Sequence, residues 1–120
     1  MGSKLLKIAT VILMATGASQ AMAGYSAIAY NANTQAWGEG HGYDTSTDAV
    51  NAAVASCGGG CTWLAWAQNS CVALANDPSS GAYGYSWGND NSDDAVNAAM
   101  ASCDSQIAAG ACSWRVWACN

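Results

Sequence analysis

The sequence has very few basic residues, and this scarcity excludes whole classes of partner. Lysine and arginine together number three against eight aspartates and glutamates, so the 120-residue chain carries a formal charge of −5. Two of the three bases, Lys4 and Lys7, stand close to the N-terminus. An acidic surface of this kind repels nucleic-acid phosphates and anionic lipid headgroups. The composition therefore argues against nucleic acid and against membrane surfaces as partners.

Residues for catalysis and metal binding are equally scarce. The single histidine, His41, stands in the glycine-rich stretch 38–42, which we expect to be an exposed loop. A catalytic triad built on His41 would also need a placed nucleophile and an orienting group. Zinc sites favour C-x-x-C pairs, and the sequence contains none. Asp90–Asp94 is similar to the start of a calcium loop, but Ala95 and Ala101 occupy its required Gly and Glu positions. We predict no catalytic residue, no metal ligand and no cofactor.

No apolar run approaches the ~20 residues that a membrane-spanning helix requires. The run Ile8–Ala15 instead follows a basic segment and precedes the small residues Ala21–Ala23, which is the pattern of a secretory signal peptide. We therefore expect residues 1–23 to be cleaved and residues 24–120 to form a single domain in the periplasm or outside the cell. That domain would keep one base, Arg115, against all eight acids, a formal charge of −7.

The expected mature domain contains an internal repeat. Asp48–Cys57 returns as Asp94–Cys103 at an offset of 46, with nine of ten positions identical. Cys61–Ala67 returns as Cys112–Ala118 at an offset of 51, because the second copy has five extra residues in the intervening loop. Two copies are too few for a solenoid, so a pair that shares one core is the simpler arrangement.

Each copy is predicted to fold as a hairpin followed by a helix and a strand. Small and larger residues alternate in Tyr25–Tyr30, as in a half-buried strand. The repeated Ala-rich segment, Asp48–Cys57 in the first copy, is typical of a helix that packs on a sheet. The predicted fold class is α+β: two pseudo-symmetric hairpin–helix–strand repeats, about residues 25–70 and 71–118, sharing one core of antiparallel sheet and two helices, with disulfides.

Local signals predict the ends and faces of these elements. Val50, Val54 and Cys57 recur at helical spacing, which predicts that they form the core-facing side of the first helix. Gly38 and Gly84 interrupt the second strand of each hairpin, expected at 35–38 and 82–87, which indicates a bulge or a close backbone approach. The candidate N-caps of the helices are Ser46 and Ser92.

Six cysteines in a short exported chain predict a disulfide framework that compensates for a small core. The sequence alone leaves many pairings open. The repeat reduces the number of plausible pairings, since equivalent cysteines in the two copies should pair equivalently. One bridge in each copy would then join the helix end to the next strand. The two cysteines without counterparts would pair with each other. The expected pairs are Cys57–Cys61, Cys103–Cys112 and Cys71–Cys119.

Six tryptophans and five tyrosines are more than a small core requires. Trp63 and Trp66 are three apart on a predicted strand, so they are expected on opposite sides of the sheet, as are their equivalents Trp114 and Trp117. We expect most of these rings to fill the core, because the helices are rich in alanine. The alternative is an exposed aromatic platform for a glycan or peptide. The candidate binding aromatics are Trp37, Trp63, Trp87 and Trp114.

With the repeat laid out, the sequence resembles the domain of unknown function 4189 family of small secreted bacterial proteins. The resemblance rests on Tyr25–Tyr30, on Ala36–Gly38, on the Ala-rich helix that ends in Cys57 with Cys61 shortly after, and on Cys71–Ala75. It covers nearly all of the expected mature domain. It implies two ββα-type units held by disulfides in an exported protein, and very little about activity.

Three functions remain open. The acidity, the disulfides and the missing catalytic motifs favour a non-enzymatic protein that binds another macromolecule, as an effector, an inhibitor or an immunity-type protein. The negative charge favours a basic protein partner. One alternative is a cell-envelope glycan-binding module with exposed Trp and Tyr side chains, and a second is a small hydrolase that uses His41. The exposure of the aromatic rings and the surroundings of His41 distinguish these functions.

Overall fold

The structure, a computed structural model, describes residues 24–107 and 111–120. The predicted signal peptide, residues 1–23, lies outside the described residues, as does part of the loop that follows the second helix. The elements in chain order are β1 (Tyr25–Tyr30), β2 (Trp37–Tyr43), α1 (Ser46–Cys57), β3 (Thr62–Gln68), β4 (Cys71–Asn76), β5 (Tyr83–Asn89), α2 (Ser92–Asp104) and β6 (Ser113–Cys119).

The strands form two three-stranded antiparallel sheets. Sheet A has the order β2-β1-β3, and sheet B has the order β5-β4-β6. In both, the central strand pairs with its hairpin partner on one side and with the strand after the helix on the other. The α+β class is confirmed, but the strands do not form one sheet as expected. Superposition of residues 25–70 on residues 71–118 stays a prediction.

The two-sheet arrangement follows from the central strands, which are buried on both faces. Successive side chains of a strand point to opposite faces. Ile28 of β1 therefore points into the space between the sheets, where it meets Val72 and Leu74 of β4 in a core shared by both halves. The opposite face of β1 is covered by α1. A strand that is apolar on both faces needs a layer on each side, and a second sheet supplies one of them.

Each helix approaches its sheet through very small side chains. Ala27 and Ala29 of β1 contact Ala49 and Ala53 of α1. The buried residues of α1 are Ala49, Ala53 and Cys57, whereas the valines expected on the core-facing side are only half-buried. The prediction is therefore confirmed for Cys57, whereas for the two valines it is wrong by about one residue around the helix. Alanine, rather than valine, faces the sheet because the two backbones lie too close for a larger side chain.

Glycine on β2 and β5 makes this close approach possible. A Cβ atom added at Gly38 would overlap the carbonyl oxygen of Ala53 and lie 2.5 Å from the amide nitrogen of Cys57. One added at Gly84 would overlap the amide nitrogen of Cys103. Of the two explanations offered for these glycines, a close backbone approach is the correct one.

The N-cap residue of each helix lies one position before the serine expected to cap it. The side chain of Thr45 accepts a hydrogen bond from the amide of Asp48 at 3.1 Å, and Asn91 caps α2 in the same way. A capping side chain reaches the amide three residues ahead, and an acidic residue stands at that position in both helices. The predicted caps, Ser46 and Ser92, are therefore wrong by one residue.

A buried polar contact joins the two halves. Asn76 is 2% exposed, and its Nδ2 donates a hydrogen bond to the Tyr30 hydroxyl at 3.0 Å. The guanidinium of Arg115 donates to Oδ1 of the same side chain. Arg115 is the only basic side chain among the described residues apart from His41. This one arginine is half-buried and is hydrogen-bonded to a neutral amide that also contacts Tyr30 of the first half.

All six cysteines are paired. The bridges are Cys57–Cys61, Cys103–Cys112 and Cys71–Cys119, the three pairs that the repeat predicts. The first two join each helix end to the segment before the next strand, and the third joins directly opposed residues of β4 and β6. Neither described helix has the length and apolarity that crossing a membrane would take.

Candidate functional site

Every tryptophan of the protein lies at the surface. The six side chains are between 40% and 61% exposed, and none belongs to the core, whose largest buried residues are Tyr30, Ile28 and Leu74. The expectation that the indole rings fill the core is therefore wrong. Contacts between alanine and glycine bring each helix so close to its sheet that no indole fits between them.

Trp63 and Trp66 lie on the same side of sheet A rather than on opposite sides. The register of β3 against β1 shifts by one residue at Leu64, which is the extra residue of a β-bulge. One extra residue changes the alternation of side chains, so residues three apart share a face. The same irregularity in β6 brings together Trp114 and Trp117.

The helix-side face of β3 is open because α1 lies mainly over β1 and β2. Trp63 and Trp66 occupy this open strip, beside Val50 and Asn51 of α1. The Trp66 ring also packs against Tyr25, with ring centroids 5.7 Å apart. The corresponding strip of sheet B carries Trp114 and Trp117 beside α2.

A wide groove runs along one open side of the sheet pair. There the edge strand β3 of sheet A faces the edge strand β5 of sheet B. The groove, which we name the β3/β5 groove, has a volume of about 540 Å³, within the usual range for ligand sites. Its aromatic side chains are Trp63 and Trp66 from β3 and Tyr85 and Trp87 from β5.

Strand alternation directs the β5 aromatics into this groove. Gly84 and Ser86 face α2, and the Ser86 hydroxyl donates to the Ala95 carbonyl at 2.7 Å. Tyr85 and Trp87 therefore point to the other face of the strand. Their ring centroids are 5.9 Å apart with an interplanar angle of 30°, so the two rings form a continuous, gently folded platform.

The lining of the β3/β5 groove contains no charged side chain. Its side-chain polar groups, apart from the tyrosine hydroxyl and indole N–H groups, are the amide of Gln68 and the hydroxyl of Ser70. The acidic residues concentrate elsewhere, with Asp48, Asp93 and Asp94 in the first turns of the helices, where carboxylates favour the helix dipole. The groove therefore presents apolar rings and neutral hydrogen-bonding groups only.

A second groove lies on the opposite open side, where β2 faces β6. This β2/β6 groove has a volume of about 420 Å³. Residues 116–119 of β6 form one wall, and the other wall consists of Trp37, Glu39 and His41 from β2. At the repeat offset of 46, the residues that correspond to this second wall are Tyr83, Tyr85 and Trp87.

His41 lies on β2 rather than in a loop. Its Nδ1 is 2.8 Å from Oε1 of Glu39, and because an ionised carboxylate only accepts, the imidazole donates from this nitrogen. The lining of the β2/β6 groove contains no serine or threonine hydroxyl, and the sulfur of Cys119 is bonded to Cys71. The pair therefore has no nucleophile beside it. The loop assignment is wrong because the nearby glycines accommodate α1 and do not end the strand.

The calcium-like segment Asp90–Asp94 forms the start of α2. Its Asn91 side chain accepts a hydrogen bond from the Asp94 amide at 2.8 Å and so acts as the helix cap. In the part of the chain that the structure describes, no three His, Cys, Asp or Glu side chains come close enough together to hold a metal ion.

A model of the family described as a domain of unknown function, DUF4189, matches residues 25–119. The chain belongs to the DUF4189 family. The match spans all eight elements, so both grooves are built from residues of the DUF4189 domain itself. Neither a curated protein nor a solved structure gives a significant match.

The four candidate aromatics are distributed over the DUF4189 domain rather than gathered at one place. Trp63 and Trp87 line the β3/β5 groove, Trp37 lines the β2/β6 groove, and Trp114 lines neither. The β3/β5 groove also contains Trp66 and Tyr85, which were not among the sequence-predicted candidates. Tyr85 could have been found, because it stands two residues before Trp87 and so shares its strand face.

Proposed function

We propose that this DUF4189 domain is an exported, non-catalytic binding module that holds a neutral glycan chain in the β3/β5 groove. The observation that carries the proposal is the gathering of four partly exposed aromatic side chains around an uncharged groove. Aromatic side chains gathered around a groove supply apolar contact area together with polar groups at their tips, which suits them to a binding site.

The groove has the chemistry that a neutral sugar requires. A pyranose ring presents an apolar face of C–H groups and a rim of hydroxyls. The platform of Tyr85 and Trp87 can bury the apolar face, removing aromatic and sugar surface from water together. Gln68 and Ser70 then offer an amide and a hydroxyl to the rim of the sugar. The absence of charge from this lining means that binding requires no desolvation of an ion.

A basic protein partner, which the overall charge favours, has less support at this groove. A cationic surface gains most from carboxylates that lie in contact with it. The β3/β5 groove offers none, and several of the acids lie in the first turns of the helices. Net charge would steer such a partner toward the molecule, but the groove itself would not recognise it.

Catalysis by His41 has less support than binding. The Glu39–His41 contact could hold a proton on Nδ1, but hydrolysis also requires a nucleophile or a positioned water, and the groove provides no hydroxyl or free thiol. The proposal of a non-enzymatic role therefore stands on the composition of the two grooves.

Export is part of the proposal. Disulfides persist in oxidising compartments, and a small domain with three bridges fits the periplasm or the extracellular space. A glycan partner is available in both places at the cell envelope.

Replacing Trp87 by alanine should weaken glycan binding about tenfold to a hundredfold, the usual effect of removing a central aromatic contact. Trp87 is 61% exposed, so its loss opens no cavity and should leave the free energy of unfolding nearly unchanged. The measurement is calorimetric titration of the oxidised domain, residues 24–120, with N-acetylglucosamine oligomers and with cello-oligosaccharides.

Trp114→Ala is the matched control for Trp87→Ala. Trp114 is 50% exposed but lies outside the β3/β5 groove, so its replacement should leave the affinity unchanged. The affinity for a neutral sugar should also be insensitive to salt. Equal weakening by both substitutions, or no binding of either oligosaccharide series, would contradict the proposal.

A further inference from the structure

The two grooves occupy corresponding places in the repeat but differ in chemistry. The positions of Tyr85 and Trp87 in the β3/β5 groove are taken by Glu39 and His41 in the β2/β6 groove. Aromatic side chains remain on both walls, with Trp37 on β2 and Trp117 on β6. The β2/β6 groove is therefore an aromatic groove with one carboxylate set into it.

The carboxylate of Glu39 is held in place with one oxygen available. His41 Nδ1 donates to Oε1 at 2.8 Å, and within the described part of the chain Oε2 accepts no hydrogen bond. The Glu39 side chain is 30% exposed, so it is partly screened from water yet still reachable from the groove. Trp37, Glu39 and His41 alternate along β2 and share one face of the strand.

We propose that the β2/β6 groove binds a primary ammonium group on an alkyl stem, the lysine side chain of a basic partner protein. The ammonium would donate to the free oxygen of Glu39, in a charge-assisted hydrogen bond. The indole rings of Trp37 and Trp117 attract a cation through their π faces. The methylene stem of lysine would lie along Val116 and Trp117, as such stems do on apolar surfaces.

The groove selects lysine over arginine. A guanidinium gains its advantage from a two-point contact with both oxygens of a carboxylate. His41 takes one lone pair of Oε1, so a two-point contact would have to share Oε1 with the imidazole, whereas a single point charge with rotatable N–H donors needs only Oε2. His41 acts here as a positioning residue that fixes the carboxylate.

The net negative charge of the molecule also supports a lysine side chain of a basic protein as the occupant of the β2/β6 groove. All eight acids and only one lysine or arginine fall within residues 24–120, and that arginine is engaged by Asn76. The negative surface steers a basic protein toward the domain and speeds encounter. This inference is independent of glycan binding, because it uses the opposite groove and a different class of partner.

The test follows the indole N–H signals of the six tryptophans by NMR during titration with Nα-acetyl-lysine methylamide, whose side-chain ammonium group is free. The signals of Trp37 and Trp117 should shift, while those of Trp63 and Trp87 should stay in place. The norleucine analogue, which has the same stem without the charge, should bind at least tenfold more weakly. High salt should weaken binding of the lysine probe but not of the norleucine probe.

Glu39→Gln should reduce the affinity for the lysine probe about tenfold, because the amide keeps the shape of the side chain and loses its charge. Asp90→Asn is the control, since it removes the same charge from an exposed residue outside the groove and should have little effect. The proposal is overturned if the norleucine probe binds the unaltered protein as tightly as the lysine probe. It is equally overturned if Glu39→Gln, with an otherwise native spectrum, retains full affinity.

Discussion

Gly38→Ala is expected to lower the free energy of unfolding by about 3 kcal/mol or more, at the upper end of what overpacking costs. The added methyl group would overlap the carbonyl oxygen of Ala53 and crowd the amide of Cys57. Both are backbone atoms in the middle and at the end of α1, so no side-chain rotation can relieve the overlap. The helix would have to move away from sheet A and would lose its contacts with Ala27 and Ala29.

Urea unfolding followed by circular dichroism measures this effect, and Gly81→Ala is its control. Gly81 has a positive φ of 80°, but a methyl group added there meets nothing within 4 Å. Its replacement should therefore cost only the backbone strain of about 1–2 kcal/mol. If Gly38→Ala destabilises the protein no more than Gly81→Ala does, the conclusion that α1 lies too close to β2 for a side chain at position 38 is wrong.

This close approach links the fold to the surface. Helices that contact their sheets through alanine and glycine leave no room for large side chains between the layers. The indole rings must then lie on the outer strips and along the open sides of the sheets. Each helix lies mainly over two of the three strands, so β3 and β6 present their tryptophans to solvent. The same packing that makes the core small therefore creates the aromatic grooves.

Much of the local structure could be predicted from the sequence because it depends on near neighbours. The alternation in Tyr25–Tyr30 and the repeated Ala-rich segment predicted a strand and a helix at the observed places, although the strand is buried on both faces and not half-buried as expected. The caps were missed by one residue although the signal was present. Thr45 and Asn91 each stand three residues before an acidic residue, which is the spacing of a reciprocal cap, and this spacing should have outweighed the serines.

The arrangement of the sheets was missed because it depends on contacts that the local pattern does not encode. Only two residues separate β3 from β4, a spacing typical of a hairpin, yet the chain crosses there from one sheet to the other. The reason lies in the central strands: β1 and β4 are apolar on both faces, and each needs the other sheet as its second covering layer.

The candidate site was predictable in its residue types but not in its geometry. The excess of aromatic residues was expected mainly to fill the core, with an exposed platform as the alternative, and Trp63 and Trp87 were among the candidates for that platform. Their placement on the two walls of one groove, with Trp66 turned to the same side as Trp63 by the bulge at Leu64, depends on strand register and on how the two sheets stack. His41 was recognised in the sequence, but its contact with Glu39 and the aromatic groove around the pair depend on β2 and on β6, which forms the other wall.

Removal of the bridge between Cys71 and Cys119 should lower the free energy of unfolding by about 4 kcal/mol in the chain-entropy model, because this bridge closes a loop of 48 residues. The bridge joins directly opposed residues of β4 and β6, so the native sheet is already arranged to place the two sulfurs together. Its main effect is therefore on the unfolded chain, which gains freedom when both residues are replaced by alanine.

The matched control is the double replacement of Cys103 and Cys112, which are buried like Cys71 but close a loop of only 9 residues. The same relation gives about 2.5 kcal/mol for that bridge, so the two double variants should differ by about 1.5 kcal/mol. Urea unfolding of both variants at one temperature provides the comparison. Because burial and the Cys-to-Ala change are similar, loop length is the main difference. An equal loss in the two variants would mean that packing of the sulfur atoms, and not the closure of the long loop, accounts for the stabilisation.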